Sequence, residues 1–313
     1  MMTMTSSNKI QLLWRIVFVL FVLVVYSFVA YKLVNFDRYG DLVDCWRHLT
    51  LKKSLGLIGV LLLVPFNLMV ESQRWRTAMR GSARIGLRSA AADVLAGWGA
   101  ALITPLRLGE IPGRAISAGQ GRQWQAITAA TMCALVLTMV IVSIGLWPAI
   151  IWGQLPITDN YYYYAICILV VAIWLLFRPV CGFIHKRAKH EWLKKLTEAG
   201  AEISPKNYLK TLALTLVRYG VFCFQLYLML RVVGVNLTVD DAIICIPTYY
   251  LLVTITPSVA LADPGVRGTW AAVVFAEVTN DTHLCVLAAV MLWMLNNFLP
   301  LLFLPLFRKT HKQ

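Results

Sequence analysis

Charged residues are scarce in this sequence. Asp, Glu, Lys and Arg make up 14% of its 313 residues and apolar residues make up 59%, and the mean hydropathy is +0.69. A chain of this composition has too little polar surface to cover a globule in water. The sequence therefore excludes a soluble enzyme and predicts a membrane protein, with no soluble domain large enough for chemistry in water.

The sequence also lacks the motifs that hold common cofactors. Its seven cysteines are scattered, mostly inside apolar runs, without a C-x-x-C pair and without histidines at metal-ligand spacing. No glycine-rich phosphate loop precedes a soluble helix. We therefore expect no cofactor, no metal site and no catalytic residue.

The basic residues do not form a soluble basic face. Although the net charge is +14, Lys and Arg fall into segments that flank apolar runs, where they meet anionic lipid headgroups. We therefore expect membrane topology, rather than a nucleic acid partner, to explain the charge.

Apolar runs long enough to cross a bilayer recur along the chain. About 20 residues span roughly 30 Å of hydrocarbon, and such runs extend from Leu12 to Val34 and from Leu284 to Phe307. The first run is longer than the apolar region of a typical signal peptide, and the sequence 35–38 after it offers no small-residue cleavage site. We interpret it as a retained helix.

The distribution of Lys and Arg predicts the orientation, because cytoplasmic loops carry the excess of both residues. Three segments are basic: 74–88, 178–210 and the tail from Arg308 to Lys312. Acidic or mixed loops should face the exterior, and these are 37–53, 153–160, 235–241 and 280–281. Both termini are therefore expected in the cytoplasm of a bacterium, with the chain in its inner membrane.

When membrane crossings are assigned between these loops, two segments receive no crossing. An even number of spans joins two cytoplasmic loops, which places spans at 124–152, 161–177, 208–233 and 284–307. The segments 89–122 and 241–278 are then left without a crossing, and each is long enough for a hairpin of half-helices. We predict an all-α integral membrane protein of about six spanning helices plus two broken re-entrant hairpins.

The two leftover segments share a weak inverted repeat. Each contains Thr-Pro, a short spacer, an acid, a Pro-Gly pair and an Arg four residues after the acid. The predicted hairpin breaks are Pro105, Gly109, Pro112 and Gly113 in the first segment, and Pro257, Pro264 and Gly265 in the second. Interrupted segments at matching positions of two oppositely oriented halves are typical of transporters with a midplane site. We expect one polytopic domain over 1–313, with halves at about 12–178 and 207–307 and a basic cytoplasmic connector at about 179–206.

Six ionisable residues fall at membrane depth, where each costs roughly 3 kcal/mol. They are Arg107, Glu110, Arg114, Arg218, Asp263 and Arg267, and their charges sum to +2. Half-helices should begin at Asp263-Pro264 and near Pro112, so that two helix N-termini favour an anion. A phosphodiester headgroup or a polyprenyl monophosphate would match this centre.

A structural role for four of these charges stays open. Glu110 with Arg114, and Asp263 with Arg267, have the spacing of ion pairs on one helix face. Such pairs would neutralise charge within the fold, whether or not a ligand binds.

Arg107 and Arg218 have no obvious local acid. Three roles are therefore possible for these two side chains: contact with a ligand, snorkelling to the membrane interface, or pairing with a remote structural partner. Glu71, Arg74 and Trp75 lie at the cytoplasmic end of the second span, where we favour an interfacial anchor over a functional role.

Several of these motifs resemble one family. The Gln73-Arg74-Trp75 exit from the second helix, the Pro105-to-Arg114 motif and the later Pro-Gly-Val-Arg element resemble the lysylphosphatidylglycerol synthase transmembrane region, a flippase-like family. The resemblance covers roughly Leu12 to Phe307. It implies a region that moves aminoacylated or other anionic lipids across the bilayer, here without the cytosolic aminoacyl-transferase domain to which it is sometimes fused.

The resemblance also implies which residues of this chain belong to the family's site, because they match its motifs position by position. Those of the first motif are Arg107, Gly109, Glu110 and Arg114, and those of the second are Gly265, Val266 and Arg267. The second motif departs from the family, where an acid tends to follow the Arg, because this chain has Gly268 there and Asp263 on the other side. Aminoacyl-phosphatidylglycerol is therefore not assumed as the headgroup.

Three functions are compatible with these observations. The leading hypothesis is a flippase-like protein that binds and translocates an anionic lipid or a lipid-linked precursor. The alternatives are a non-transporting membrane partner of a lipid or envelope-glycan synthase, and a membrane-embedded transferase, which would need a donor site. The expected partners are an anionic membrane lipid and a lipid-synthesis enzyme, and the sequence leaves the oligomeric state open.

A reporter fusion tests the orientation. Because 178–210 carries eight Lys and Arg residues, a fusion after Lys195 should be active with a cytoplasmic reporter and silent with a periplasmic one. An active periplasmic reporter at this position would contradict the orientation and the inverted repeat derived from it.

Overall fold

Every regular element in the part of the chain that the structure describes is helical. The computed structural model describes residues 50–81, 85–102, 104, 107–119, 121–153, 161–256, 263–303 and 307. A short 3-10 helix, Met79–Gly81, follows the first of ten α-helices. These are α1 Leu51–Ala78, α2 Leu87–Leu102, α3 Glu110–Ala118, α4 Gln123–Trp152, α5 Tyr161–Arg187, α6 Glu191–Glu202, α7 Pro205–Val233, α8 Val239–Ile255, α9 Asp263–Phe275 and α10 Thr282–Leu302.

Four of the described helices are long and apolar enough to cross a membrane, namely α1, α4, α7 and α10. α1 contains Glu71, Arg74 and Trp75 and is therefore the second span, and the other three correspond to the spans predicted at 124–152, 208–233 and 284–307. This confirms an all-α membrane protein. The predicted span at 12–34 and the basic tail from Arg308 lie outside the described residues. The segment 161–177 lies within α5, which continues to Arg187, and the number of about six spans stays a prediction.

The side chains of α1 show how the helices meet lipid. Leu55 and Leu62 are exposed, whereas Asn67, Glu71 and Arg74 are buried. A helix at the surface of a soluble protein has the reverse pattern, because its apolar side chains pack inward. Hydrocarbon around the bundle instead favours polar groups that pair in the interior. The core of this protein therefore contains charges.

Each of the two leftover segments folds as two helices with an interruption. α2 and α3 pack against each other in the first segment, and α8 and α9 do so in the second. Pro112 is the third residue of α3 and Pro264 the second of α9, positions where the missing N–H removes no helical hydrogen bond. Pro105 and Pro257 lie outside the described residues. The opposite orientation of the two segments in the bilayer stays a prediction.

Glycines bring α2 and α3 into close contact. A Cβ at Gly113 of α3 would lie 2.8 Å from the Cβ of Ala100 in α2 and 2.9 Å from a backbone carbonyl oxygen of the same helix. A Cβ at Gly97 of α2 would lie 2.6 Å from the Cγ of Arg114. Small residues permit such contacts in membranes, where helix association depends on van der Waals packing. The contact fixes the position of Arg114 beside α2.

The glycines predicted as hairpin breaks differ in what surrounds them. Gly109, just before α3, and Gly113, within it, both lie against α2, whereas a Cβ at Gly265 of α9 would meet no atom within 4 Å. Thr104 stabilises the turn before α3. Its hydroxyl accepts a hydrogen bond from the Gly109 N–H at 2.7 Å and donates one to the Ala100 carbonyl oxygen at 3.0 Å.

Substitution of Gly113 by alanine tests this packing. Gly113→Ala should lower the free energy of unfolding by about 1–3 kcal/mol, because the added methyl group forces α2 and α3 apart. Gly220→Ala in α7 is the matched control, since a Cβ there would meet no atom within 4 Å. It should be neutral or stabilising by up to about 1 kcal/mol through helix propensity. Thermal unfolding of both variants in detergent, followed by circular dichroism, measures the difference, and equal stabilities would contradict the packing.

Candidate functional site

Glu71 lies at the centre of the polar core. This carboxylate of α1 is fully buried and accepts four hydrogen bonds from three arginines. Arg74 donates Nε to Oε2 at 2.7 Å and Nη2 to Oε1 at 2.9 Å. Arg114 donates Nη2 to Oε1 at 2.7 Å, and Arg218 donates Nη1 to Oε2 at 2.8 Å. We call Glu71 and these three arginines the Glu71 cluster.

The Glu71 cluster joins three helices, because Arg74 lies on α1, Arg114 on α3 and Arg218 on α7. Further contacts hold two of the guanidinium groups. Nη1 of Arg74 donates to the carbonyl oxygen of Cys133 in α4 at 3.0 Å, and Nε of Arg218 donates to Oδ1 of Asn67 at 3.1 Å. A charge left unpaired in a dry interior is costly. These contacts therefore hold α1, α3, α4 and α7 in one arrangement.

The interpretation of the end of α1 as an interfacial anchor is wrong. Trp75 is as deeply buried as Glu71, and its Nε1 donates to Oδ2 of Asp93 in α2 at 3.2 Å. One signal in the sequence could have indicated the interior, since Glu71 and Arg74 are three residues apart in an apolar helix, where an unpaired carboxylate is unfavourable. The partners on α3 and α7 leave no such local signal.

Arg107 and Glu110 lie at the tip of the first hairpin. Glu110 accepts a hydrogen bond from Nη2 of Arg114 at 2.5 Å and lies 3.9 Å from Nε of Arg107. Arg107 has a φ of 56°, a left-handed conformation that is uncommon for residues other than glycine. Its Nη1 donates to Oδ1 of Asn297 in α10 at 3.2 Å. The side chain is nevertheless 40% exposed, so Arg107 is oriented by α10 and stays accessible.

Asp263 and Arg267 form a second charged pair at the start of α9. Arg267 donates Nε to Oδ2 of Asp263 at 3.1 Å, and Trp293 of α10 donates Nε1 to the same oxygen at 2.6 Å. The Arg267 side chain is 20% exposed and that of Asp263 is 11% exposed. The pair expected from the sequence therefore forms, and Trp293 ties it to α10.

Residues at the start of α3 and at the start of α9 line one cavity of about 520 Å³. This volume lies within the roughly 300–1,000 Å³ that is usual for small-molecule sites. The structure brings all six site residues predicted from the sequence to the wall of this cavity: Arg107, Glu110, Arg114, Arg218, Asp263 and Arg267. Arg74 lines it as well. The part of these residues in binding a ligand stays a prediction.

Positive charge is in excess around the cavity. Five arginines line it, against the lining carboxylates of Glu110 and Asp263 and the carboxylate of Glu71, which binds three of the arginines. Over these residues, positive charges therefore exceed negative charges by two. α3 and α9 begin at the cavity, and their N-termini add to the positive potential. The site suits an anionic group.

Aromatic and aliphatic side chains form the rest of the wall. The aromatic ones are Trp98, Phe222, Tyr249, Tyr250 and Trp293, and aliphatic ones include Leu137, Ile141 and Val253. The guanidinium of Arg218 lies 5.6 Å from the ring centroid of Trp98 and 5.1 Å from that of Phe222, distances at which a cation is attracted to a ring face. A ligand that combines an anionic group with an apolar part would contact both kinds of surface.

Replacement of Glu71 tests the cluster. Glu71→Gln keeps the shape of the side chain but leaves three buried guanidinium groups without their shared anion, so it should destabilise the protein by about 3–5 kcal/mol. The control is Glu191→Gln in α6, where the carboxylate is 83% exposed and 4.0 Å from Lys195. This control should change stability by less than about 1 kcal/mol. Thermal unfolding in detergent measures both, and a Glu71→Gln variant as stable as the control would contradict the central role of Glu71.

Comparison with known proteins agrees with this architecture. The model of one protein family, the lysylphosphatidylglycerol synthase TM region, matches residues 12–304. No curated protein and no solved structure matches the chain. The family match covers the hairpins, the Glu71 cluster and the cavity. The chain therefore belongs to the lysylphosphatidylglycerol synthase transmembrane-region family.

Proposed function

We propose that this protein binds the headgroup of an anionic lipid in the arginine-lined cavity and translocates the lipid across the inner membrane. The observation that carries the proposal is the excess of two positive charges around a cavity where two interrupted helix pairs meet. Membership of a flippase-like family is in accord with it.

The surroundings of the cavity favour a lipid over a water-soluble anion. α4, α7 and α10 line the cavity and are each apolar enough to cross a membrane, so the site lies among membrane-spanning helices. Its wall combines guanidinium groups with aromatic and aliphatic side chains. A lipid headgroup is attached to an apolar chain, and it offers charge and apolar surface together.

The cavity arginines lower the main energetic barrier to lipid movement, which is the dehydration of the headgroup. A headgroup phosphate that enters hydrocarbon without a partner loses its hydration at a large energetic cost. Guanidinium groups at the cavity replace part of that hydration with charge-assisted hydrogen bonds. The interrupted helices support movement, because transporters commonly form their substrate sites at such breaks.

The arginines divide into two groups by their contacts. Arg74, Arg114 and Arg218 each donate to Glu71 and are nearly buried, and their loss would disturb the fold. Arg107 and Arg267 are the more exposed ones, at 40% and 20% of their side chains. They are therefore the arginines whose substitution best separates ligand binding from folding.

A reconstituted system tests the proposal. Wild-type protein in liposomes should speed the movement of fluorescent phosphatidate and phosphatidylglycerol between leaflets, measured by quenching of the outer leaflet with dithionite, and should act less on phosphatidylethanolamine. The double variant Arg107→Gln, Arg267→Gln should slow the anionic lipids at least about tenfold, the effect of about 1.4 kcal/mol, because both guanidinium groups are lost.

Arg187→Gln is the control for this experiment, since Arg187 ends α5 and does not line the cavity. It should move lipid at the wild-type rate. Equal rates for all three proteins, or no acceleration by the wild type, would contradict translocation. Lipid binding without movement would instead favour a non-transporting partner of a lipid-synthesis enzyme.

A further inference from the structure

The uncompensated charge lies on one side of the cavity. Around the first hairpin, Arg74, Arg107, Arg114 and Arg218 face the two carboxylates of Glu71 and Glu110. Around the second, Arg267 faces Asp263, so that pair is neutral. Among the residues that line the cavity or pair with those that do, both excess positive charges therefore lie around the first hairpin. Asp93 of α2 is outside this count, since it does not line the cavity and its carboxylate accepts hydrogen bonds from Trp75 and Ser117. This location limits which lipid headgroups would match the charge of the cavity.

Several guanidinium N–H groups on the same side have no hydrogen-bond partner in the part of the chain that the structure describes. Nε and Nη1 of Arg114 are buried without a hydrogen-bond partner among the described residues. Arg218 gives Nε to Asn67 and Nη1 to Glu71, and no hydrogen bond between described residues uses its Nη2. Arg218 is 7% exposed and lines the cavity. Because an unpaired buried N–H costs about 1–3 kcal/mol, oxygen atoms of a ligand would stabilise this side.

Arg107 lines the same side of the cavity and is its most exposed arginine. Its contact with Asn297 uses Nη1, and its distance of 3.9 Å from Glu110 exceeds that of a hydrogen bond. Among the described residues, no hydrogen bond uses Nε or Nη2, and the side chain is 40% exposed. A guanidinium presents such N–H groups as a planar fork that matches phosphate oxygens.

We propose that the headgroup is a phosphomonoester in its doubly charged form, bound between Arg107 and Arg218. The inference rests on the proposed function and specifies its ligand. The two negative charges of a phosphomonoester balance the two excess positive charges of the cavity wall. A phosphodiester carries one negative charge and balances only one of them, and a phosphodiester lipid that also carries an ammonium group balances neither. The three terminal oxygens of a phosphomonoester also accept more hydrogen bonds than the two of a phosphodiester.

Binding to purified protein in detergent tests the inference with three probes. Dioctanoyl phosphatidate carries a phosphomonoester, dioctanoyl phosphatidylglycerol a phosphodiester, and sodium phosphate the same anion without a lipid. At pH 8, phosphatidate should bind at least about tenfold more tightly than phosphatidylglycerol. The preference should fall toward unity at pH 5.5, because the second phosphate proton has a pKa near 6 whereas arginine keeps its charge.

Two variants assign the preference to the proposed side. Arg107→Lys keeps the charge but removes the fork, and it should reduce the preference for phosphatidate at least about threefold without loss of folding, because Arg107 lies outside the Glu71 cluster. Arg187→Lys, at the end of α5 and outside the cavity wall, should keep the preference. A preference kept in full by Arg107→Lys would overturn the assignment.

The other outcomes separate this inference from the proposed function. Equal binding of phosphatidate and phosphatidylglycerol at pH 8 would overturn the phosphomonoester and leave anionic-lipid binding intact. Binding of neither lipid would remove the proposed function itself. Sodium phosphate that binds as tightly as phosphatidate and displaces it would assign the site to the free anion, which overturns the lipid as ligand.

Discussion

The burial of Glu71 is the constraint on which the rest of the structure depends. The interior of a membrane-embedded bundle offers a carboxylate little water, so protein donors must replace its hydration. Three guanidinium groups do so, from α1, α3 and α7. The attraction is mutual, because each arginine would be as unfavourable alone as the carboxylate. The helices therefore assemble around charge rather than around an apolar core alone.

The break in the first hairpin places Arg114 beside this buried carboxylate. α3 delivers Arg114 to Glu71 from a helix that begins at Glu110, close to the cavity. Irregular backbone at membrane depth is tolerated where protein surrounds it or where it lines a cavity, and the turn before α3 meets this condition through the contacts of Thr104 with Gly109 and Ala100. The hairpin that supplies an arginine to the fold thus also presents Arg107 to the cavity.

Charge in the core serves the fold and the proposed site together. Glu71 binds three arginines but neutralises only one unit of their charge, and Glu110 neutralises another. The geometry that stabilises the bundle thereby leaves a positive potential beside the cavity. The proposed binding site rests on this surplus of positive charge.

Local patterns in the sequence determined the helical membrane architecture and the interruptions near Glu110 and Asp263. Apolar run length, proline and glycine act within a few residues of chain, which is why they can be interpreted without a structure. Only the tertiary structure decided the centre of the site. Arg114 and Arg218 are separated from Glu71 by 43 and 147 residues, and their encounter depends on how α3 and α7 pack against α1. Pairing over such distances leaves no local pattern, so the carboxylate that organises the site looked like the end of a span.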